Sequence, residues 1–160
     1  MMRRLACALA LFMLLPACAV SGLGFSNDHR VKIVTPVNRS KVSLPVTISW
    51  RAPGIKHAAN GTPFFAVFLD RAPIRPHQTL RAVADDACNK TPGCLDLAYL
   101  RDRYVFVTKK TSVTLDVVPK PSGQRTGAKE SHEATIVLVD ADGRRMGEAA
   151  YTVVFTVKSR

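Results

Sequence analysis

The residues whose types could do chemistry are few in this 160-residue chain: four histidines, four cysteines and two short clusters of polar side chains. His29, His57, His77 and His132 stand far apart, the first three in segments that read as tether or loop and the last at the start of a strand. A hydrolase would need a pocket that gathers His77 or His132 with a carboxylate. Ser131-His132-Glu133 places a nucleophile, a base and an acid side by side. Adjacent side chains on a strand point to opposite faces, so these three cannot align as a triad. Asp140-x-Asp142-Gly143 has the opening spacing of a calcium loop, but Arg145 stands where that loop needs glycine and no glutamate closes it. An Asp-Gly hairpin turn is the better reading. Gly-x-Ser-x-Gly, His-Glu-x-x-His and phosphate-cradling glycine patterns are missing from the sequence. The expectation is therefore a non-catalytic protein with no metal and no cofactor.

The cysteines carry more information. Arg3 and Arg4 precede an unbroken apolar run over residues 5–15, and Pro16 ends it. That is the layout of an export signal, and it is too short for the roughly 20 residues of a spanning helix. Leu15-Pro16-Ala17-Cys18 resembles the lipobox of bacterial lipoproteins, which implies cleavage after residue 17 and a lipid-modified Cys18. The alternative is an Ala17-Cys18-Ala19 site, with release after Ala19. Either cut removes Cys7, and acylation or removal of Cys18 leaves Cys88 and Cys94 as an even pair in an oxidising compartment. A disulfide is expected there, contributing roughly 2 kcal/mol by closing a short loop. Metal binding by this pair has no Cys-x-x-Cys spacing or neighbouring histidine to support it.

The net charge is +11, of which Arg3 and Arg4 supply two, so +9 remains after the leader. A field of that sign favours anionic partners such as lipid head groups, an envelope polymer or an acidic protein. Nucleic acid is not expected, because the chain has one tryptophan, no recognised motif and an export leader.

Around these residues the sequence lays out a tether and one domain. Residues 18–30 are small and polar, a linker in composition. Beyond them Val42, Leu44, Val46, Ile48 and Trp50 alternate with polar residues, the period of a half-buried strand. Pro45 lacks an amide donor, so the early part of that strand belongs at an edge or a bulge. Further strands are expected over 31–35, 63–70, 104–108, 112–118, 133–140 and 149–158, about seven in all, which argues for a β-sandwich over residues 31–160. Residues 72–103 break this rhythm. Leu80, Val83, Ala84 and Ala87 recur at helical spacing, and a second amphipathic turn spans 95–101. A disulfide-stapled helical insertion is where such a fold presents a distinctive surface. Arg71, Arg75, Arg81, Arg101 and Arg103 lie in or beside it and form the candidate binding surface, with Asp85, Asp86, Asp96 and Asp102 interspersed. The plainer alternative is that these charges pair with one another and the insertion caps an open end of the sandwich.

Thr47-Ile48-Ser49-Trp50-Arg51-Ala52-Pro53 resembles the second strand of fibronectin type III and related Ig-like domains, where tryptophan anchors the core before a proline turn. Phe65-Ala66-Val67-Phe68-Leu69 is similar to their third strand, and an Asp-Gly hairpin suits their last pair. The resemblance implies an all-β, Ig-like sandwich. Together with the lipobox it implies a lipid-anchored envelope protein whose domain binds or scaffolds another envelope component. Ala19 after the modified cysteine, in place of aspartate, resembles outer-membrane sorting on the periplasmic side of a two-membrane bacterium; without the anchor the protein would be secreted or periplasmic. The alternative function is inhibition of a secreted or periplasmic hydrolase, of protease or lysozyme type, by the stapled insertion.

Overall fold

The computed structural model describes residues 30–53, 55, 63–119 and 130–158. The expected signal peptide, Cys18, nearly all of the tether, His29 and His57 lie outside them. In chain order the elements are β1 (Lys32–Thr35), β2 (Ser40–Val42), β3 (Val46–Arg51), β4 (Phe64–Leu69), a 3₁₀ turn (Leu80–Val83), α1 (Asp86–Lys90), α2 (Leu97–Asp102), β5 (Val105–Thr108), β6 (Ser112–Leu115), β7 (Glu130–Val139) and β8 (Tyr151–Val157). Among the described residues no helix is long and apolar enough to cross a membrane.

The strands form two sheets, one of three strands in the order β1-β3-β6 and one of five in the order β2-β8-β7-β4-β5. All neighbours are antiparallel except β2, which runs parallel to β8. The period-two pattern explains the layering. Val46, Ile48 and Trp50 of β3 turn inward against Phe65 and Val67 of β4, Ile136 and Leu138 of β7, and Val153 and Phe155 of β8. Trp50 meets Phe65 edge-on with ring centroids 5.1 Å apart. Each such side chain contributes about 1.5–3 kcal/mol on leaving water.

Among the described residues there are eight strands where about seven were expected. The extra one arises because the alternating run over 42–50 is divided at Pro45: β2 joins the edge of the five-stranded sheet, and β3 sits in the middle of the other. Without an amide hydrogen, Pro45 cannot continue a ladder, and the chain changes sheets there.

β4 reads as a continuous apolar run because both of its faces are covered. Its inner face belongs to the sandwich core, while Ala66 and Phe68 on the outer face pack with Val105, Val137 and Val139 under Ile74, Leu80, Val83 and Leu100 of the insertion. The insertion therefore lies across the outer face of the five-stranded sheet and does not cap an open end. It also lacks the single short helix expected from Leu80, Val83, Ala84 and Ala87. The 3₁₀ turn ends at Ala84, and Asp85 adopts an extended backbone to cap α1. The cap requirement breaks the helical run that the apolar spacing alone suggests.

Candidate functional site

The insertion is a small polar framework built on that second core. Cys88 and Cys94 form the expected disulfide, with Cα atoms 5.3 Å apart. Asp85 accepts the Cys88 amide at 2.9 Å and so starts α1, while Asp96 accepts the Tyr99 amide at 2.7 Å and starts α2. The two short helices are tied to each other, because the Asp85 amide donates to the Tyr99 hydroxyl at 2.9 Å. Arg103 stacks on the Tyr99 ring, 3.5 Å from its centroid, and its guanidinium pairs with Asp85. The Cys88 amide is the main reason the Asp85 carboxyl titrates below its ordinary range, and hydrogen bonds from Arg103 and Tyr99 add to the effect.

These contacts sort the five candidate arginines. Arg71 is half-buried and donates from Nη1 to the Arg103 carbonyl at 3.1 Å; burial, then the nearby Arg103 charge, lowers its pKa. Arg71 and Arg103 are thus brought together as parts of the framework. Arg81 is exposed and reaches the Asn89 carbonyl at 3.4 Å. Arg75 and Arg101 are exposed as well. The outward-facing members of the five are therefore Arg75, Arg81 and Arg101, spread along the insertion.

Arg145 was not singled out from the sequence, yet it holds the insertion in place. It is 6% exposed, and it donates to the carbonyls of Ile74 (2.6 Å), Glu148 (2.6 Å) and Ala149 (3.2 Å). Its own amide donates to the Gln78 carbonyl at 2.8 Å. Burial lowers its pKa, and Glu148 partly offsets this. Neighbouring Arg144 reaches the His77 carbonyl at 2.9 Å. The expected Asp-Gly turn provides the footing: Asp140 accepts the amides of Asp142 and Arg144, and Gly143 has φ +72°. A side chain at Gly143 would meet Leu80 at 3.1 Å, so this turn and the insertion fit closely only with glycine there. Both amides reach the same Asp140 oxygen, Oδ1, the hydrogen bonding expected of the turn.

His132 lies within β7 with its ring buried beside Phe155, while Ser131 and Glu133 point outward. Its Nδ1 lies 2.6 Å from the carboxylate of Asp70, which also accepts the Glu133 amide at 2.7 Å. The imidazole is buried in the sandwich, while the Asp70 carboxylate at its end is partly exposed. His77 is exposed on the insertion and is not brought to it. Among the described residues no three His, Cys, Asp or Glu side chains converge as a metal site would need.

Two concavities flank this framework. One, of about 640 Å³, lies between the insertion and the five-stranded sheet, among Phe64, Leu80, Leu95, Leu97, Leu100 and Val107. The other, of about 780 Å³, runs between β5 and β6. Compared with protein-family models, with curated proteins and with solved structures, the chain matches none.

Proposed function

We propose that this protein is a non-catalytic, lipid-anchored component of a bacterial envelope, tethered through Cys18, whose Ig-like domain binds another envelope component. The Ig-like reading is supported by the strand order: a three-stranded β1-β3-β6 sheet faces a five-stranded one whose edge strand β2 runs parallel to β8. The observation that carries the binding role is the rigid presentation of the insertion. A disulfide, two aspartate caps and the buried Arg145 fix it to the sheet, while Arg75, Arg81 and Arg101 face outward. Preorganised surfaces of this kind lose little entropy on association. The basic balance favours an anionic polymer or acidic protein as the partner, drawn in at low salt.

The test is affinity capture from solubilised envelopes with the full-length protein, combined with intact-mass analysis of the membrane-extracted chain. Acyl chains on Cys18 and a partner lost on raising the salt are expected. An unmodified chain, or no partner at low salt, would overturn the reading.

The exposed stapled loop over residues 88–94 also favours a second reading, inhibition of a secreted hydrolase by insertion of that loop. A protease and lysozyme panel separates the two, since inhibition that is lost when both cysteines are changed to serine belongs only to the second.

A further inference from the structure

β5 and β6 each end a sheet, and residues 109–111 join them directly. The free edges of both sheets therefore open onto one cleft along the side of the sandwich, about 780 Å³ in volume. Short edge strands and lysines are ordinary protections against unwanted pairing. This edge differs in being concave and in having its apolar interior within reach.

The ladders show which backbone groups face the cleft. The Trp50 amide donates to the Thr111 carbonyl at 3.0 Å, so Val113 and Leu115, in the same phase, turn their N–H and C=O groups toward β3. Ser112 and Thr114 turn theirs outward. Likewise the Leu69 amide donates to the Tyr104 carbonyl at 3.0 Å, which leaves the backbone groups of Val105 and Val107 on the outer edge of β5. Among the described residues, none of these four outward-facing backbone positions has a backbone partner. Between the edges, Phe106 and Val113 are only half-buried, and at one end Val117 is 68% exposed.

Charge is distributed unevenly along the cleft. Lys110 marks the end where β5 turns into β6. Asp102 and Asp116 stand at the opposite end with Arg101, two carboxylates to one guanidinium. Lys109 is not part of the lining; its ammonium lies over the Phe64 ring, 4.8 Å from the centroid. The cleft thus has a positive end and a net negative end, with unpaired strand edges between them.

We propose that this cleft accepts an extended segment of a partner protein as an added strand antiparallel to β6. The segment alternates apolar side chains toward Phe106 and Val113, places a basic residue near Asp102 and Asp116, and places an acidic residue near Lys110. Main-chain pairing with Ser112 and Thr114 supplies affinity, and the charged ends set direction. The proposal rests on the binding-module reading above and gives the partner its chemical class, a peptide strand.

The probe is a fluorescent peptide, Lys-Thr-Val-Thr-Val-Glu, titrated into the full-length protein and followed by polarisation. Saturable binding is expected. Thr114→Pro removes an amide hydrogen that no element of the domain uses, together with the exposed Thr114–Thr47 hydroxyl hydrogen bond, so it should weaken binding about tenfold while Thr114→Ala, which loses only the hydroxyl, binds as the parent does. Methylating alternate amides of the peptide should weaken binding as Thr114→Pro does without touching the protein, and Lys110→Glu should weaken binding several-fold. Equal binding by the methylated peptide, unchanged affinity in Thr114→Pro, or no binding at millimolar peptide would each overturn the proposal. So would Thr114-dependent self-association in sedimentation, which would make a second copy the occupant. A failed titration beside acylated Cys18 and a captured envelope partner would sink the cleft alone; failure of the capture and mass experiments would sink the wider reading.

Discussion

Asp70 and His132, 62 positions apart in sequence, close the end of the sandwich core together, with the buried imidazole Nδ1 2.6 Å from the partly exposed carboxylate. Asp70 does this from a left-handed backbone, φ +52°, just after β4, and its second oxygen and its amide both bond to the backbone of Glu133. One short side chain therefore fixes the end of β4 against β7 and satisfies a histidine that the core would otherwise strand.

Asp70→Ala should lower stability by about 2–3 kcal/mol, because it leaves a buried ring nitrogen and a backbone amide without their acceptor. Asp70→Asn should cost less, since asparagine keeps an acceptor and tolerates the left-handed backbone. Urea denaturation of the two variants checks the order; equal losses would show that the ionised carboxylate, and neither a neutral acceptor nor the left-handed backbone, is what matters.

Arg145→Met should destabilise by about 2–4 kcal/mol, for three carbonyls lose a charged donor in a nearly dry site. The loss should centre on the insertion. Hydrogen exchange should speed up at the amides of residues 74–83 and leave β3 and β8 protected, a contrast that general loosening of the fold would erase.

Changing Cys88 and Cys94 to serine together should remove roughly 2 kcal/mol, the chain-entropy value for a loop this short. Asp85 and Asp96 still cap their helices without the disulfide, so far-ultraviolet dichroism should hardly change. Thermal melting with and without reductant gives the same comparison on the unmodified chain.

Acid should loosen the insertion before the sandwich. The Asp85 carboxyl is lowered in the folded state, so its stabilisation is fully present above the ordinary carboxylate value of about 3.9 and is lost as pH falls through the folded value. In Asp85→Asn that pH dependence should disappear. Tyr99 fluorescence cannot be isolated from the other tyrosines, so amide exchange at Cys88 and Tyr99 between pH 5 and pH 2 is the appropriate readout.

Much of the strand layout was legible in the sequence because burial on one face leaves a period-two trace, as in β3, or a solid apolar run where both faces are covered, as in β4. Pro45 announced an edge but not a change of sheet, since a missing donor says where a ladder stops and nothing about where the chain goes next. The disulfide followed from counting cysteines. Arg145 was illegible: it lies in a run of polar turn residues, and its partners are carbonyls, which every residue carries and no pattern marks. Arg71 and Arg103 looked like surface charge for the same reason. Their roles became visible only when the acceptors, one a backbone oxygen and the other Asp85, were brought alongside. The cleft at β5 and β6 depends on which strands end their sheets, and alternation along a strand does not encode its neighbours.

The parallel pairing of β2 with β8 gives the domain a mechanical character. Ser40, Lys41 and Val42 lie beside Phe155, Thr156 and Val157, so the start of β2 and the end of β8 are at opposite ends of the ladder. Tension between the segment leading into β2 and the segment leaving β8 pulls along the strands, and all the bonds of the ladder share the load at once. An antiparallel pair drawn apart from one end would yield bond by bond. This seam is thus joined in the geometry that resists sliding.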